Sequence, residues 1–248
     1  MRSTRIAAAL FFALAARAFA QSEGIAEFKG SINAGQGRTI QTNGKVYFAR
    51  TVAYRSEWET DMSSLLKGRY VPGAAVPARH KTITIQKLSE PDRVISLNDE
   101  RKTYTITDLK SLRGEVAPGA SSKTHTVKKL GRDTVAGLAC EKATVTSSDG
   151  TRTALCVATE MIPSSAWGAA QNWREDSSDM MNALRDAGLD GFPIRMTVHL
   201  KGESQAAYTL ELVRLETRPV PSSVFEVPPG YAEAKSPYEE MMRRSKGR

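Results

Sequence analysis

The sequence has little of what most enzymes and metal sites are built from. Its 248 residues include two cysteines and three histidines, and the histidines, His80, His125 and His199, are scattered along the chain. Neither a G-x-S-x-G nucleophile turn nor an H-E-x-x-H zinc motif occurs. A catalytic nucleophile needs a base within hydrogen-bond reach, and a zinc ion needs several ligands. The sequence therefore predicts a protein that is not an enzyme and binds no metal or cofactor.

Signals for phosphate and nucleic-acid binding are also missing. Gly35-Gln36-Gly37-Arg38 is too short for a phosphate loop and no helical pattern follows it, so it predicts a hairpin turn. The formal net charge is +8, but the lysines and arginines are spread along the chain and no basic block interleaves with aromatic residues. We therefore expect no nucleic-acid partner.

Only one long apolar run is present, and it lies at the beginning of the chain. Arg2 and Arg5 precede an apolar stretch over residues 6–16, and Ala18-Phe19-Ala20 has the small-x-small pattern of a cleavage site. The run is shorter than the roughly 20 residues that a transmembrane helix needs, and no cysteine follows it to carry a lipid. The pattern predicts a signal peptide over residues 1–20, cleavage after Ala20, no integral membrane segment in the mature chain and a periplasmic location.

The two cysteines, Cys140 and Cys156, flank a turn. Residues 147–150, Ser-Ser-Asp-Gly, have turn chemistry, and residues 143–145 and 154–157 have strand composition. An antiparallel hairpin places the two sulfurs nearly opposite each other, at a separation that a disulfide tolerates. In an oxidising compartment this pair predicts one structural disulfide. A redox or metal pair is the weaker alternative, because the spacing is neither C-x-x-C nor that of a zinc site.

Alternating apolar and polar residues predict short antiparallel strands over most of the chain. Asn43-Gly44 predicts a hairpin turn, as does the segment 98–101. Toward the end of the chain, the apolar positions change parity around Leu212, which indicates either a bulge there or burial on both faces. The predicted strands occupy residues 25–32, 46–48, 51–57, 83–85, 94–97, 104–106, 124–130, 135–157, 194–200 and 207–216.

Two stretches have helical spacing instead. Trp58, Met62, Leu65 and Leu66 predict a short amphipathic helix that Thr60 caps, followed by a loop to residue 80. A longer helix is predicted from residue 172 to Gly188. Its apolar stripe requires an apolar platform, which only a face of the sheet offers. The stripe consists of Trp173, Met180, Met181, Leu184 and Ala187.

Several motifs together resemble the exported bacterial proteins grouped as domain of unknown function 4412. Each motif is short, but their order and spacing span most of the mature chain. The pieces are Gly44-Lys45-Val46-Tyr47-Phe48, Leu97-Asn98-Asp99 leading to Lys102-Thr103-Tyr104, Gly131 to Cys140, and Phe225-Glu226-Val227-Pro228-Pro229-Gly230-Tyr231.

That family is similar to the lipoprotein-carrier superfamily, which includes the LolA and LolB carriers and a sigma-factor regulator. The resemblance implies a mainly β (α+β) fold, a curved antiparallel sheet forming an unclosed half-barrel with a helical lid on its concave face. One such domain is expected over residues 21–231, followed by a polar basic tail, residues 232–248, that is frayed or weakly helical. A family of unknown function implies no catalytic residues.

Export, the amphipathic helix and this resemblance predict a periplasmic binding or carrier protein for an apolar ligand such as a lipid or acyl chain. The alternative is an envelope protein-interaction or stress-sensing module whose helices are permanently packed, with an envelope protein as its partner. Methionine and aromatic side chains suit a surface that repacks around apolar ligands, although the same stripe also suits an ordinary core. The predicted lining or lid residues are Trp58, Met62, Leu66, Trp167, Trp173, Met180, Met181 and Leu184.

Overall fold

A computed structural model of the protein describes residues 23–49, 52–63, 78–109, 123–159 and 175–235, with side chains of the last segment described from residue 179. The predicted signal peptide lies outside the described residues. So do Leu66, Trp167 and Trp173 and most of the predicted tail.

Twelve strands of the described residues form one curved sheet that does not close into a barrel, as predicted. Neighbouring strands are antiparallel except at one edge, where β12 runs parallel to β6. The order across the sheet is β12-β6-β5-β4-β3-β2-β1-β11-β10-β9-β8-β7. The strands are β1 (Glu23–Asn33), β2 (Thr39–Ala49), β3 (Ala53–Asp61), β4 (Arg79–Lys87), β5 (Arg93–Asn98), β6 (Thr103–Asp108), β7 (His125–Val135), β8 (Leu138–Ser147), β9 (Arg152–Ala158), β10 (Phe192–His199), β11 (Tyr208–Thr217) and β12 (Ala232–Glu233).

Two sequence signals of irregular backbone are confirmed. The turn between β1 and β2 uses Gly35 and Gly37, whose φ angles of 74° and 71° favour glycine. In the pairing of β1 with β11, Glu27 lies opposite Arg214 while Phe28 lies opposite Leu212, so Val213 is the extra residue of a bulge. The bulge explains the change of parity along β11.

The two faces of the sheet carry separate apolar clusters. The larger, on the inner concave face, joins both halves of the sheet and the helix, and it includes Phe28, Phe48, Tyr54, Val145, Leu184, Phe192, Ile194 and Leu210. The smaller, on the outer face, lies under the C-terminal segment and consists of Ala49, Ala53, Ile83, Ile85, Leu97, Val220 and Phe225. Strand alternation sends successive side chains to these two faces.

Two predictions of local structure are wrong. Asn43 and Gly44 lie in the middle of β2, each opposite a residue of β1 and of β3, and not in a turn. Trp58 and Thr60 continue β3 to Asp61, so the predicted helix does not begin there, and His80 lies in β4. The rest of that prediction falls on residues 64–77, which lie outside the described residues. At Trp58, cross-strand pairing on both sides outweighs the helical spacing of the apolar residues.

The helix α1 (Glu175–Asp186) crosses the inner face near the edge strand β7 and ends as predicted at Gly188. Gly188 has a φ of 72°, its N–H donates to the carbonyl of Arg185, and the N–H of Leu189 donates to the carbonyl of Leu184. This pair of bonds is a Schellman motif, which satisfies carbonyls that the helix leaves without partners. Leu184 and Leu189 are buried in the inner cluster, so the end of the helix is tied to the sheet.

The disulfide between Cys140 and Cys156 is confirmed. It joins β8 to β9, and because Cys156 lies opposite Lys142, the two cysteines are diagonal neighbours. The sequence had predicted sulfurs that lie nearly opposite each other. Their Cα atoms are 5.4 Å apart, within the usual range for a bridge. Both side chains are buried in the inner cluster, where the bond cross-links two core strands.

The C-terminal segment closes one edge of the sheet. A 3₁₀ turn (Ser222–Phe225) places Phe225 in the outer cluster, and β12 then pairs with the edge strand β6. Ala232 and Glu233 are therefore in a strand, which corrects the predicted frayed or helical tail at its first residues. The Lys102 ammonium lies 5.3 Å from the centre of the Tyr231 ring. Two motifs of the family resemblance, the one that includes Asp99 and Lys102 and the one that ends at Tyr231, thus meet here and hold the chain end against β6.

The contacts of Asp99 with the chain end predict that the stability difference between wild type and Asp99→Asn depends on pH. The Asp99 carboxylate accepts hydrogen bonds from Lys102 and Tyr231, and first the Lys102 bond, then the Tyr231 bond, lower its pKa from 3.8 to about 2. A lowered carboxyl pKa stabilises the folded protein above the unfolded pKa of about 4, and that stability is lost as the pH falls toward 2. We expect wild type to melt above Asp99→Asn at pH 5 and the difference to vanish near pH 2. The exposed neighbour substitution Glu100→Gln is the control, and equal pH profiles of wild type and Asp99→Asn would contradict the prediction.

Candidate functional site

The inner face of the sheet brings together four of the predicted lining residues. Met181 and Leu184 belong to the inner cluster, and Trp58 and Met180 are half-buried against it. Met62 follows the end of β3 and is half-buried, with its N–H donating to the carbonyl of Ala78. The candidate site is therefore the inner face between strands β1–β4 and α1. Leu66, Trp167 and Trp173 stay predictions, because they lie outside the described residues.

Gly44 is a glycine because the Trp58 ring lies on it. The two residues are directly opposite each other on β2 and β3. A Cβ atom at position 44 would overlap Trp58 Cζ3 and would lie 2.5 Å from Trp58 Cε3. Contacts that short do not occur between packed atoms, so any side chain at this position displaces the indole.

A row of aromatic rings extends from Trp58 across the inner face. The ring centres of Trp58 and Phe28 are 6.1 Å apart, and those of Phe28 and Phe192 are 5.5 Å apart. Both pairs are tilted and within the range of favourable aromatic contacts. The row joins the β1–β4 half of the sheet to the half on which α1 lies. The three rings form an apolar floor on the inner face, in which Phe28 and Phe192 are each 1% exposed and Trp58 is half-buried.

A polar strip runs beside this floor on strands β3 and β4. Ser56 and Thr84 are buried and their hydroxyl oxygens are 2.7 Å apart. One register step away, Tyr54 lies opposite Gln86, with exposures of 2% and 4%. The Gln86 Nε2 group donates to the carbonyl of Pro91. The inner face is thus amphipathic, apolar along β1 and β2 and polar along β3 and β4.

Three buried polar atoms of this strip have no hydrogen-bond partner among the described residues. They are the Tyr54 hydroxyl, the indole N–H of Trp58 and the Oε1 atom of Gln86. Burial raises the pKa of the Tyr54 phenol, which keeps it protonated. A buried polar group without a partner costs about 1–3 kcal/mol, so three of them in one strip need a physical reason.

The packing of Trp58 on Gly44 predicts a large effect of a single methyl group. Gly44→Ala is expected to lower the free energy of unfolding by roughly 1–3 kcal/mol, because the indole must leave its position in a packed core. The measurement is urea unfolding of Gly44→Ala, Trp58→Ala and the double variant. We expect the alanine at position 44 to cost much less once Trp58 is already removed. Strictly additive effects would show that the ring does not oppose the methyl group.

The charged residues of β1–β4 face the opposite side of the sheet. An open pocket of about 350 Å³ there includes Glu27, Lys45, Glu57 and Lys81 in its lining. Lys45 lies 3.1 Å from Glu27, and Lys81 lies 3.3 Å from Glu57. The hydrogen bond from Lys45 to Glu27 raises the pKa of Lys45. Opposite charges on adjacent strands stabilise a solvent-facing sheet, and we assign the pocket no ligand.

Within the described ranges, no helix has the length and apolarity needed to cross a membrane. In the same part of the chain, no group of three or more histidine, cysteine, aspartate or glutamate residues is arranged to hold a metal ion.

The polar strip was missed at the sequence level. Ser56, Thr84 and Gln86 are ordinary polar residues in strands, and the alternation of apolar and polar residues predicts that such residues face solvent. The one usable signal was the charge pattern of β3, where Arg55, Glu57 and Glu59 share one parity. The charged side chains of β3 therefore face outward, and the alternating residues Tyr54, Ser56 and Trp58 face inward.

Comparison with known proteins gives one family. The family model described as domain of unknown function (DUF4412) matches residues 66–231, more than half of the chain. No curated protein gives a significant match.

Solved structures that match this chain include an uncharacterized conserved protein from Thermus thermophilus. It has 10% identity and a TM-score of 0.46, over 87% of this chain and 91% of that one. A LolA superfamily protein from Nitrosomonas europaea has 10% identity and a TM-score of 0.34, over 84% and 91%. The MucA/MucB complex of Pseudomonas aeruginosa gives 14% identity and a TM-score of 0.36, over 80% and 53%. Because each of these TM-scores is below 0.5, the likenesses do not bear on ligand or partner.

Proposed function

We propose that this chain, which belongs to the DUF4412 family, is a periplasmic binding or carrier protein for an apolar ligand such as an acyl chain, acting without catalysis or cofactor. The observation that carries the proposal is the inner face of the sheet. Its aromatic floor from Phe192 through Phe28 to Trp58 lies in a concavity that an amphipathic helix crosses. The family itself has no described function, so the proposal depends on this geometry.

The residues of the inner face suit a chain-like ligand. Trp58 and Met180 are only half-buried against the inner cluster, so both retain surface for an additional contact. Methionine is unbranched and polarizable, and it repacks around irregular apolar shapes. Each methylene group removed from water contributes about 0.8 kcal/mol, so a chain of about twelve carbons gains on the order of 10 kcal/mol before the costs of binding. An acyl chain therefore gains enough to be held in such a concavity.

Binding is tested by native mass spectrometry of the purified protein and by titration with a fluorescent fatty acid. We expect a co-purifying lipid or saturable binding at one molecule per chain, weakened by Trp58→Ala. Leu130→Ala is the matched control, because Leu130 is an exposed apolar residue on the edge strand β7. No co-purifying lipid and no saturable binding would refute the proposal.

A second candidate is an envelope protein-interaction or stress-sensing module. The observation that favours it is the close packing of α1, where Met181 is 4% and Leu184 is 1% exposed. A permanently packed helix leaves the basic tail and the segment between Trp58 and His80 as contact surfaces. Crosslinking in cells distinguishes the two functions. A single envelope partner that is lost when these segments are deleted supports the module, and the absence of a crosslinked partner counts against it.

A further inference from the structure

The unpartnered polar atoms of the inner face differ in what they require. Gln86 Oε1 only accepts hydrogen bonds, the Trp58 indole N–H only donates, and the Tyr54 hydroxyl does both. All three are buried, and Tyr54 is 2% and Gln86 4% exposed. A molecule that satisfies all three must carry donors as well as acceptors.

The register of the strands places these groups along one line. Tyr54 and Gln86 are direct cross-strand neighbours, and Trp58 lies four residues further along β3 on the same face. The bonded pair Ser56 and Thr84 lies between them. Four residues of strand span about 13 Å, so a small head group that bonds Tyr54 and Gln86 does not also reach the Trp58 indole.

The strip carries no formal charge. The charged residues of β3 that flank it, Arg55, Glu57 and Glu59, have the opposite parity and face outward. The Tyr54 phenol stays protonated because burial raises its pKa. An ionised head group moved from water to this strip would lose its hydration without gaining an opposite charge. A neutral polar head group loses less and gains hydrogen bonds to Tyr54 and Gln86.

We propose that the inner face of β3 and β4 is a head-group site for a neutral amphipathic ligand, an acyl chain ending in an uncharged group with both donors and acceptors, such as a primary amide. This inference rests on the proposed function, because the apolar floor beside the strip would hold the chain. The head group donates to Gln86 Oε1 and accepts from the Tyr54 hydroxyl, which lie on directly paired residues. It thereby removes the cost of two buried groups that have no partner among the described residues.

The test compares oleamide with oleate, which have the same chain and differ in the charge of the head group. Both are titrated into wild type, Tyr54→Phe and Tyr47→Phe by displacement of a fluorescent fatty acid, and the melting temperature of each protein is measured. Tyr47 is the matched control, because it packs on the outer cluster. We expect wild type to prefer oleamide, and Tyr54→Phe to melt higher while it binds oleamide roughly five- to ten-fold more weakly.

A higher melting temperature together with weaker oleamide binding distinguishes a head-group site from a hydroxyl that has only a structural role. If Tyr54 were bonded to a buried water, Tyr54→Phe would melt lower and bind oleamide as wild type does, which would overturn the inference. Gln86→Met keeps a side chain of similar length and removes the Oε1 acceptor, so it should repeat the loss of oleamide affinity even if Tyr54→Phe folds poorly. Equal binding of oleamide and oleate by wild type would overturn the head-group site and leave the carrier function intact. Absence of binding by both compounds would refute the carrier function as well.

Discussion

Leu184→Ala is expected to lower the free energy of unfolding by about 2–5 kcal/mol. Leu184 is 1% exposed and packs in the inner cluster with the helix end. Its carbonyl also accepts the N–H of Leu189 in the Schellman motif, so the truncation leaves a cavity where α1 is fixed to the sheet. The cavity cannot collapse easily, because the paired strands on one side and the hydrogen-bonded end of α1 on the other are both held in place.

Urea unfolding of Leu184→Ala and of Asp186→Ala tests this expectation. Asp186 is an exposed residue of the same helix, and its truncation should change stability by less than about 0.5 kcal/mol. Hydrogen exchange of the helix amides adds the functional information. If α1 acts as a lid, Leu184→Ala should speed the exchange of the α1 amides and leave the exchange of the β10 amides nearly as in wild type. That difference indicates local opening of the helix without global unfolding. Equal stability of Leu184→Ala and wild type would show that the helix is not held by this contact.

The strand-rich half-barrel was predictable because strand alternation is a strong local signal. Along β10, Ile194 and Met196 are buried and share one parity, as the sequence indicated. The bulge at Val213 was predictable for the same reason, since a change of parity has few causes. The end of α1 at Gly188 follows from glycine's freedom to adopt a positive φ angle.

The errors have physical reasons in long-range contacts. Asn43-Gly44 has the composition of a hairpin turn, but Gly44 is small to make room for the indole of a residue fourteen positions later. Trp58 fits both a helical stripe and a strand, and only the pairing of β3 with β2 and β4 decides between them. A single sequence contains neither the partner strand nor its register.

The candidate site was half predictable. Trp58, Met180, Met181 and Leu184 were predicted from apolar spacing, and the structure places them in or against the inner cluster; their role in binding stays a prediction. The polar strip of Tyr54 and its neighbours was not identified, because burial of ordinary polar residues comes from the curvature of the sheet. Curvature depends on twist and bulges summed over many strands, which no local pattern reports.

The family motifs have a structural reading in this fold. Asp99, Lys102 and Tyr231 belong to two motifs that are more than 120 residues apart, and they contact one another at the edge strand β6. Backbone bonds from Ala232 to Lys102 and from Ala234 to Tyr104 complete the closure. An exposed edge strand invites pairing with other chains, and β12 covers this one. These motifs therefore mark the closure of the sheet and not the candidate site.

Loss of the disulfide is expected to destabilise the protein without abolishing ligand binding. The bond closes a loop with a sequence separation of 16 residues, which contributes about 3 kcal/mol in the chain-entropy account. For a domain of this size, that corresponds to a fall in melting temperature of roughly 6–12 °C. Both cysteines are buried on β8 and β9, and the aromatic floor and polar strip involve neither strand. Affinity for the fluorescent fatty acid should therefore stay within about two-fold of wild type at temperatures where both proteins are folded.

The measurement compares wild type and the variant Cys140→Ala/Cys156→Ala, each with and without a reductant. Reductant should lower the melting temperature of wild type and leave that of the variant unchanged, which separates loss of the bond from other effects of the reagent. Reduction should also be slow in the folded protein, because the sulfurs become accessible only when the inner cluster opens. A change of binding on reduction at an unchanged melting temperature would contradict the structural role and restore the redox interpretation of the cysteine pair.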